Sequence, residues 1–140
     1  MTTSALTRTP DVVVLEIPVR ADLVVLARLT AATMASRADF GVEEIEDLRL
    51  AVEELCLSVV RRDDTAGRLR LTYTRTVDAV EIRCTLDLAD NGAPDRGAAD
   101  RVADDLSLRI LDALVDDHGQ QLLEGRPSAW LRKRRVRATV

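Results

Sequence analysis

Aromatic side chains are nearly absent from this 140-residue chain, which carries only Phe40, Tyr73 and Trp130. The core must therefore be built from Leu, Val, Ala and Ile, and the scarcity of rings argues against a platform that stacks nucleic-acid bases. Cysteine is as sparse. Cys56 and Cys84 each sit in an apolar stretch, which suits buried reduced thiols better than the disulfide framework of a small secreted protein. A zinc site needs about four ligands, and two distant cysteines with one histidine do not suggest one. That histidine, His118 beside Asp117, reads as a surface residue rather than a catalyst or ligand. No nucleophile elbow is present. No apolar run approaches the ~18 residues that cross a bilayer, and the start M-T-T-S-A-L-T-R-T-P lacks the apolar centre of a signal peptide. A cytoplasmic protein without a membrane segment is expected.

What the chain does contain is the composition of an ordinary globule, 46% hydrophobic and 31% charged. Its length suits one domain, expected over 11–137 with a flexible N-terminus over 1–10. The net charge of −4 offers no global attraction to nucleic acid. Arg132-Lys133-Arg134-Arg135 with Arg137 is locally basic, and it reads first as a solvated strand or tail. A nucleic-acid-binding module using this basic end is the alternative.

Periodicity supplies the elements. Asp11 to Ile17 is a β-branched run closed by Pro18, a first strand. Apolar residues at helical spacing run from about Asp22 to Ala38, where Gly41 breaks the pattern. Ile45, Leu48, Ala51, Val52, Leu55 and Val59 then carry a longer helix that fails near Asp63 and Asp64. Leu69, Leu71 and Tyr73, then Val80, Ile82, Cys84 and Leu86, alternate with polar residues around a short link at Val77-Asp78, an antiparallel hairpin. Asp87 to Asp104 is polar and rich in Asp, Ala and Gly, a mobile flap. Leu106 to Leu114 form a third helix with Asp104 or Asp105 as N-cap, followed by strands over about Gln120–Leu123 and Ser128–Val136. The order β-α-α-β-β-flap-α-β-β is an α+β fold, a two-layer sandwich of helices on one face of a mostly antiparallel sheet.

The stretch Glu43 to Ser58 reads E-E-I-E-D-L-R-L-A-V-E-E-L-C-L-S, and its Glu54 and Ser58, four residues apart, share one helix face. Spacing alone leaves Glu54 as an ordinary surface glutamate, like Glu43, Glu44, Glu46 and Glu53. With R-L-T-A-A-T-M-A-S-R from Arg28 to Arg37, however, the stretch resembles the anti-sigma-factor serine kinases of the RsbW group, members of the GHKL (Bergerat-fold) ATPase superfamily. The resemblance is dense over Arg28 to Cys56, fair over Leu106 to Asp117 and weak elsewhere.

That resemblance implies a role for each matched position, and several positions depart from it. Glu54 falls where the family has the base that acts on the attacking serine hydroxyl. Ser58 replaces the Asn whose amide oxygen holds Mg²⁺; its hydroxyl reaches less far, which puts metal binding at Ser58 in doubt. Leu86 and Leu88 stand at the adenine-recognising Asp and the Gly two residues on; a shift of one residue would offer Asp87 and a longer slip Asp90-Asn91-Gly92, but a one-residue slip reverses a strand's buried face. Asp105-Leu106-Ser107-Leu108 replaces the G-x-G-L turn that cradles phosphates, so both glycines, at Asp105 and Ser107, are gone and an acid stands where phosphate charge would approach. R-I-L-D-A-L-V-D-D from Arg109 to Asp117 keeps the family's helix and its acidic end.

By the same resemblance, the chain is expected to be an anti-sigma factor that sequesters an alternative sigma factor and is countered by an anti-anti-sigma protein of STAS type. A homodimer is implied as well. Cofactor binding is expected to be absent or limited to weak ATP and Mg²⁺, with an active serine kinase of the anti-anti-sigma protein as the alternative. Arg28 matches the family Arg that contacts partner proteins; an intramolecular pair with the second helix is its other reading.

Overall fold

A computed structural model describes residues 11–60, 66–88 and 105–136. The expected flap over 89–104, the N-terminus over 1–10 and Arg137 lie outside these residues. The described elements are β1 (Asp11–Pro18), α1 (Val24–Arg37), α2 (Val42–Val59), β2 (Arg68–Arg75), β3 (Ala79–Asp87), α3 (Asp105–Leu114), β4 (Asp117–Leu123) and β5 (Arg126–Arg134). The strands form one sheet in the order β1-β2-β3-β5-β4, and every neighbouring pair is antiparallel. The α+β sandwich expected from the sequence is thus the fold.

Alternation decides which face the helices cover. Leu69, Leu71 and Tyr73 of β2, Val80, Ile82, Cys84 and Leu86 of β3, and Ala129 and Leu131 of β5 are all buried, and they line one side of the sheet. Against them α1 lays Ala27, Ala31, Met34 and Ala35, and α2 lays Leu48, Ala51, Val52, Leu55, Cys56 and Val59. Full burial of each large aliphatic side chain is worth about 1.5–3 kcal/mol, so this layer is the main source of stability. The small residues of α1 let it approach closely enough for the buried Tyr73 hydroxyl to donate to the Ala27 carbonyl at 2.9 Å.

Several boundaries differ from the sequence reading. A 3-10 turn, Ala21–Leu23, precedes α1, and the Leu23 N–H bonds the Arg20 carbonyl at 3.0 Å, so the regular helix begins at Val24 rather than Asp22. Asp39, not Gly41, breaks the first helix: it takes the left-handed conformation at φ 60. Gly41 has ordinary φ −73 and serves as N-cap of α2, its N–H donating to Glu44 Oε1 at 2.9 Å. The second helix stops at Val59, earlier than expected, where the chain turns extended at Val60. The fourth strand starts earlier than its pattern suggested and the fifth is shifted toward the N-terminus, because Glu124 and Gly125 both adopt positive φ and close a two-residue hairpin.

The basic run is a strand rather than a tail, since Arg132, Lys133 and Arg134 end β5, but its cations are largely engaged. Arg132 pairs with Asp117 at 2.6 Å and Glu81 at 3.7 Å, and Arg135 pairs with Asp39 at 3.8 Å. Lys133 turns inward, donating from Nζ to the Leu114 carbonyl at 2.7 Å with Asp47 at 3.7 Å. It thereby satisfies a carbonyl at the end of α3, where a cation also meets the helix dipole favourably.

At the sheet edge, Asp11 ties β1 to two other elements. Its carboxylate accepts from Arg37 Nε of α1 at 2.7 Å and from Arg75 Nε of β2 at 2.9 Å. The Arg75 and Arg37 hydrogen bonds hold this carboxyl at about 2, below the ordinary carboxylate range. A carboxyl whose folded value is depressed contributes stability above its unfolded value near 4 and loses it as pH falls through about 2. The difference in melting temperature between the wild type and Asp11→Asn is therefore expected to be constant from pH 7 to pH 5 and to shrink toward pH 2. Paired melts across that range check it.

Candidate functional site

Helix α2 lies between α1 and α3 on the inner face of the sheet, so the positions matched on different elements converge on it. Glu54, half-buried on α2, accepts a hydrogen bond from Ser107 Oγ of α3 at 3.0 Å. The chain thus brings together two residues separated by 53 positions, which no spacing argument linked. A carboxylate at this distance from a hydroxyl has the reach of a general base, and the hydroxyl within reach is the protein's own.

Ser58, one turn beyond Glu54, is buried, and its hydroxyl donates to the Leu55 carbonyl of the same helix at 2.7 Å. The side chain is folded back along α2, a common arrangement for serine inside a helix. Among the described residues no cluster of three or more His, Cys, Asp or Glu could hold a metal ion.

At the end of β3, Leu86 is fully buried and lies opposite Leu69 in the β2 register. Leu88 packs against the same core. Asp87 is exposed, and Arg126 Nε donates to its Oδ1 at 3.0 Å. Strand alternation explains the difference: Leu86 faces the helices, so its neighbour Asp87 faces away. Asp90, Asn91 and Gly92 lie outside the described residues.

Asp105 is exposed and is the first residue of α3 rather than a residue before it. A carboxylate in the first turn favours the helix through its dipole, the same interaction an incoming phosphate would use. Asp104, the other expected cap, lies outside the described residues. The far end of α3 is tied to β4, where His118 Nε2 lies 2.6 Å from Asp112 Oδ1. His118 is not a surface residue as its sequence context suggested, since its side chain is only 15% exposed. The β4 register places it opposite the buried Leu131, on the helix-covered face.

Arg28 of α1 reaches toward α2, with Nη1 3.6 Å from Glu53 Oε1, so the intramolecular reading of this residue is realised. The contact is long for a hydrogen bond, and the buried Nε of Arg28 has no acceptor among the described residues. Behind the site, Cys56 and Cys84 are free and buried. A hydrogen bond to Cys56, then burial, pushes the Cys84 thiol well up from its usual range, which disfavours the reactive thiolate. Burial likewise raises the Tyr73 phenol. Both groups belong to the core.

A family profile described as a histidine kinase-like ATPase domain matches residues 17–129, which contain Arg28, Glu54, Ser58, Leu86, Leu88, Asp105 and Ser107. Among curated proteins, the serine-protein kinase RsbW of Bacillus cereus strain AH187 is 32% identical over 80 residues, covering 56% of this chain and 48% of that protein. RsbW of Bacillus thuringiensis subsp. konkukian strain 97-27 is 32% identical, and that of Bacillus mycoides strain KBAB4 31% identical, each over 80 residues with the same coverage. The chain spans about half the length of these curated relatives. The profile match over most of the chain, together with the five-stranded antiparallel sheet and its helical layer, leads to one conclusion: this chain belongs to the histidine kinase-like ATPase domain family.

Proposed function

We propose that this chain is an anti-sigma factor that acts by binding: it sequesters an alternative sigma factor and is countered by a STAS-type anti-anti-sigma protein through partner switching. On this reading it works in the cytoplasm as a homodimer, through a single domain over 11–137, and its ATP site is degenerate. The likeness to RsbW serine-protein kinases supports the regulatory class. The observation that carries the loss of nucleotide is the fully buried Leu86, which fills with core the place where the family keeps an adenine-binding carboxylate.

Three further features support that reading. Ser107 hydrogen-bonds Glu54, Ser58 donates its hydroxyl hydrogen bond to the Leu55 carbonyl, and Asp105 puts negative charge at the α3 N-terminus. Such a set does not suit Mg-ATP, because metal, adenine and phosphate would each lack a partner. Arg28 supports the binding half: a guanidinium held only loosely by Glu53 can turn to a partner carboxylate and form a bidentate pair. The pairing of Arg132, Lys133 and Arg135 within the fold weighs against the nucleic-acid alternative.

The active-kinase reading draws on one observation, the hydroxyl 3.0 Å from Glu54. Titration calorimetry separates the two. The purified chain is expected to give no saturable heat with Mg-ATP up to about 1 mM, while co-purifying with a sigma factor whose complex an anti-anti-sigma protein dissolves without nucleotide. Mg-dependent ATP affinity in the low micromolar range, with transfer of phosphate to a serine of the anti-anti-sigma protein, would establish the kinase instead.

A further inference from the structure

The helices cover one face of the sheet. On the other, Thr72 and Thr74 of β2, Glu81 and Arg83 of β3, and Trp130 of β5 line a cavity of about 320 Å³. Its centre is Arg83, which lies directly opposite Thr72 on one side and Trp130 on the other in the strand registers. The Nη1 of Arg83 is buried and has no acceptor among the described residues. The remaining charge in the cavity is already engaged, since the Glu81 carboxylate lies 3.7 Å from Arg132, which also holds Asp117. Trp130 is fixed as a wall: its indole lies over Gly119, where an added Cβ would come within 2.7 Å of Nε1.

A half-buried guanidinium without an ion pair among the described residues, two flanking hydroxyls and a flat apolar wall make a defined recognition chemistry. We propose that this cavity is a carboxylate-binding pocket, with Arg83 as the anion partner, Thr72 and Thr74 as hydroxyl donors and Trp130 packing the body of the ligand. Buried polar groups in folded proteins are paired, and a guanidinium N–H is paired best by an anionic oxygen. Charge matching selects within the oxyanions: the one uncompensated cation is neutralised fully by a monoanion, whereas a dianionic phosphate would leave a net negative charge beside the Glu81 carboxylate. The cavity lies on the sheet face opposite α2, so it stands apart from the Glu54 site and does not depend on the proposed function. The carboxylate can belong to a free small acid or to an Asp or Glu side chain of a protein.

The single tryptophan makes the test direct. The full chain is titrated with sodium acetate, with N-acetyl-glutamate amide and with its glutamine analogue, at constant ionic strength in chloride, reading Trp130 fluorescence and the Arg83 Nε–H resonance. Saturable shifts with a Kd of about 1–10 mM are expected for both carboxylates and none for the glutamine analogue. Tighter binding of the blocked glutamate than of acetate assigns the site to a protein side chain, and the reverse order assigns it to a free acid. Arg83→Gln is expected to abolish the shifts; Arg83→Lys keeps the charge but loses the planar fork, so it should weaken binding at least 5-fold and serves if the first variant does not fold. Shifts equal to those with chloride, shifts unchanged in both Arg83 variants, or tighter binding of inorganic phosphate than of either carboxylate would overturn the proposal.

Discussion

Leu86→Asp, which restores the family carboxylate at its matched position, is expected to cost the domain about 4–5 kcal/mol at pH 7 and to create no ATP binding. The side chain at this position has no exposed surface and faces Leu69 across the hairpin, inside a layer of Leu, Val and Ile. An ionised carboxylate there would lose its hydration and gain no partner, one of the few mechanisms that produce losses of this size. Total stability is typically only about 5–15 kcal/mol, so a large unfolded population would follow. The pH dependence has a definite sign. Burial raises a carboxyl above its unfolded value near 4, so the deficit should be smallest at pH 4 and grow as pH rises toward 7. Urea unfolding at both pH values, beside Leu86→Ala at an expected cost of about 2–5 kcal/mol, separates the charge from the cavity. A fully stable Leu86→Asp that binds Mg-ATP would mean that this position faces an open pocket and that the degenerate-site reading is wrong.

Gly67→Ala carries the next largest effect. Gly67 adopts φ 130, a region in which a side chain is strained whatever the space around it. Space is also lacking: an added Cβ would lie 2.7 Å from the Asp87 carbonyl oxygen and 3.1 Å from the Leu88 Cα, backbone atoms that cannot swing aside. Gly67 further accepts the Val19 N–H at 3.2 Å, so it joins the chain after β1 to the ends of β2 and β3. A loss of about 2–3 kcal/mol is expected in chemical denaturation. Gly41→Ala is the control, because Gly41 has ordinary φ and its added Cβ would meet only Glu44 Oε1, at 3.5 Å. That change should stay within about 1 kcal/mol. Equal effects at the two positions would show that Gly67 is not held by the close backbone approach.

Much of the fold was legible because the signals were local. Alternation over Leu69–Tyr73 and Val80–Leu86 marked the hairpin, and the apolar spacing of Leu48, Val52, Leu55 and Val59 marked α2. Boundaries were less legible where a backbone conformation with no strong sequence signature made the turn. Asp39 ended α1 in place of the obvious Gly41, and the Glu124-Gly125 pair closed a tight hairpin, so the last strand starts at Arg126 rather than Ser128. His118 was misread for a related reason: its neighbours Asp116 and Asp117 are polar, but strand alternation carries the ring to the inner face.

Sequence by itself determined the class of fold, the family resemblance and which residue types stand at Ser58, Leu86, Leu88, Asp105 and Ser107, because these are matters of residue identity and of periodicity along the chain. Only the tertiary structure decided what those residues do now. The Ser107–Glu54 bond, the Arg28–Glu53 approach, the inward turn of Lys133 and the unpaired Arg83 all join or isolate groups far apart in sequence. Hydrogen bonds and desolvation act over a few ångströms in space, and the distance between two side chains on different elements is set by how helices and sheet pack, which no local pattern encodes.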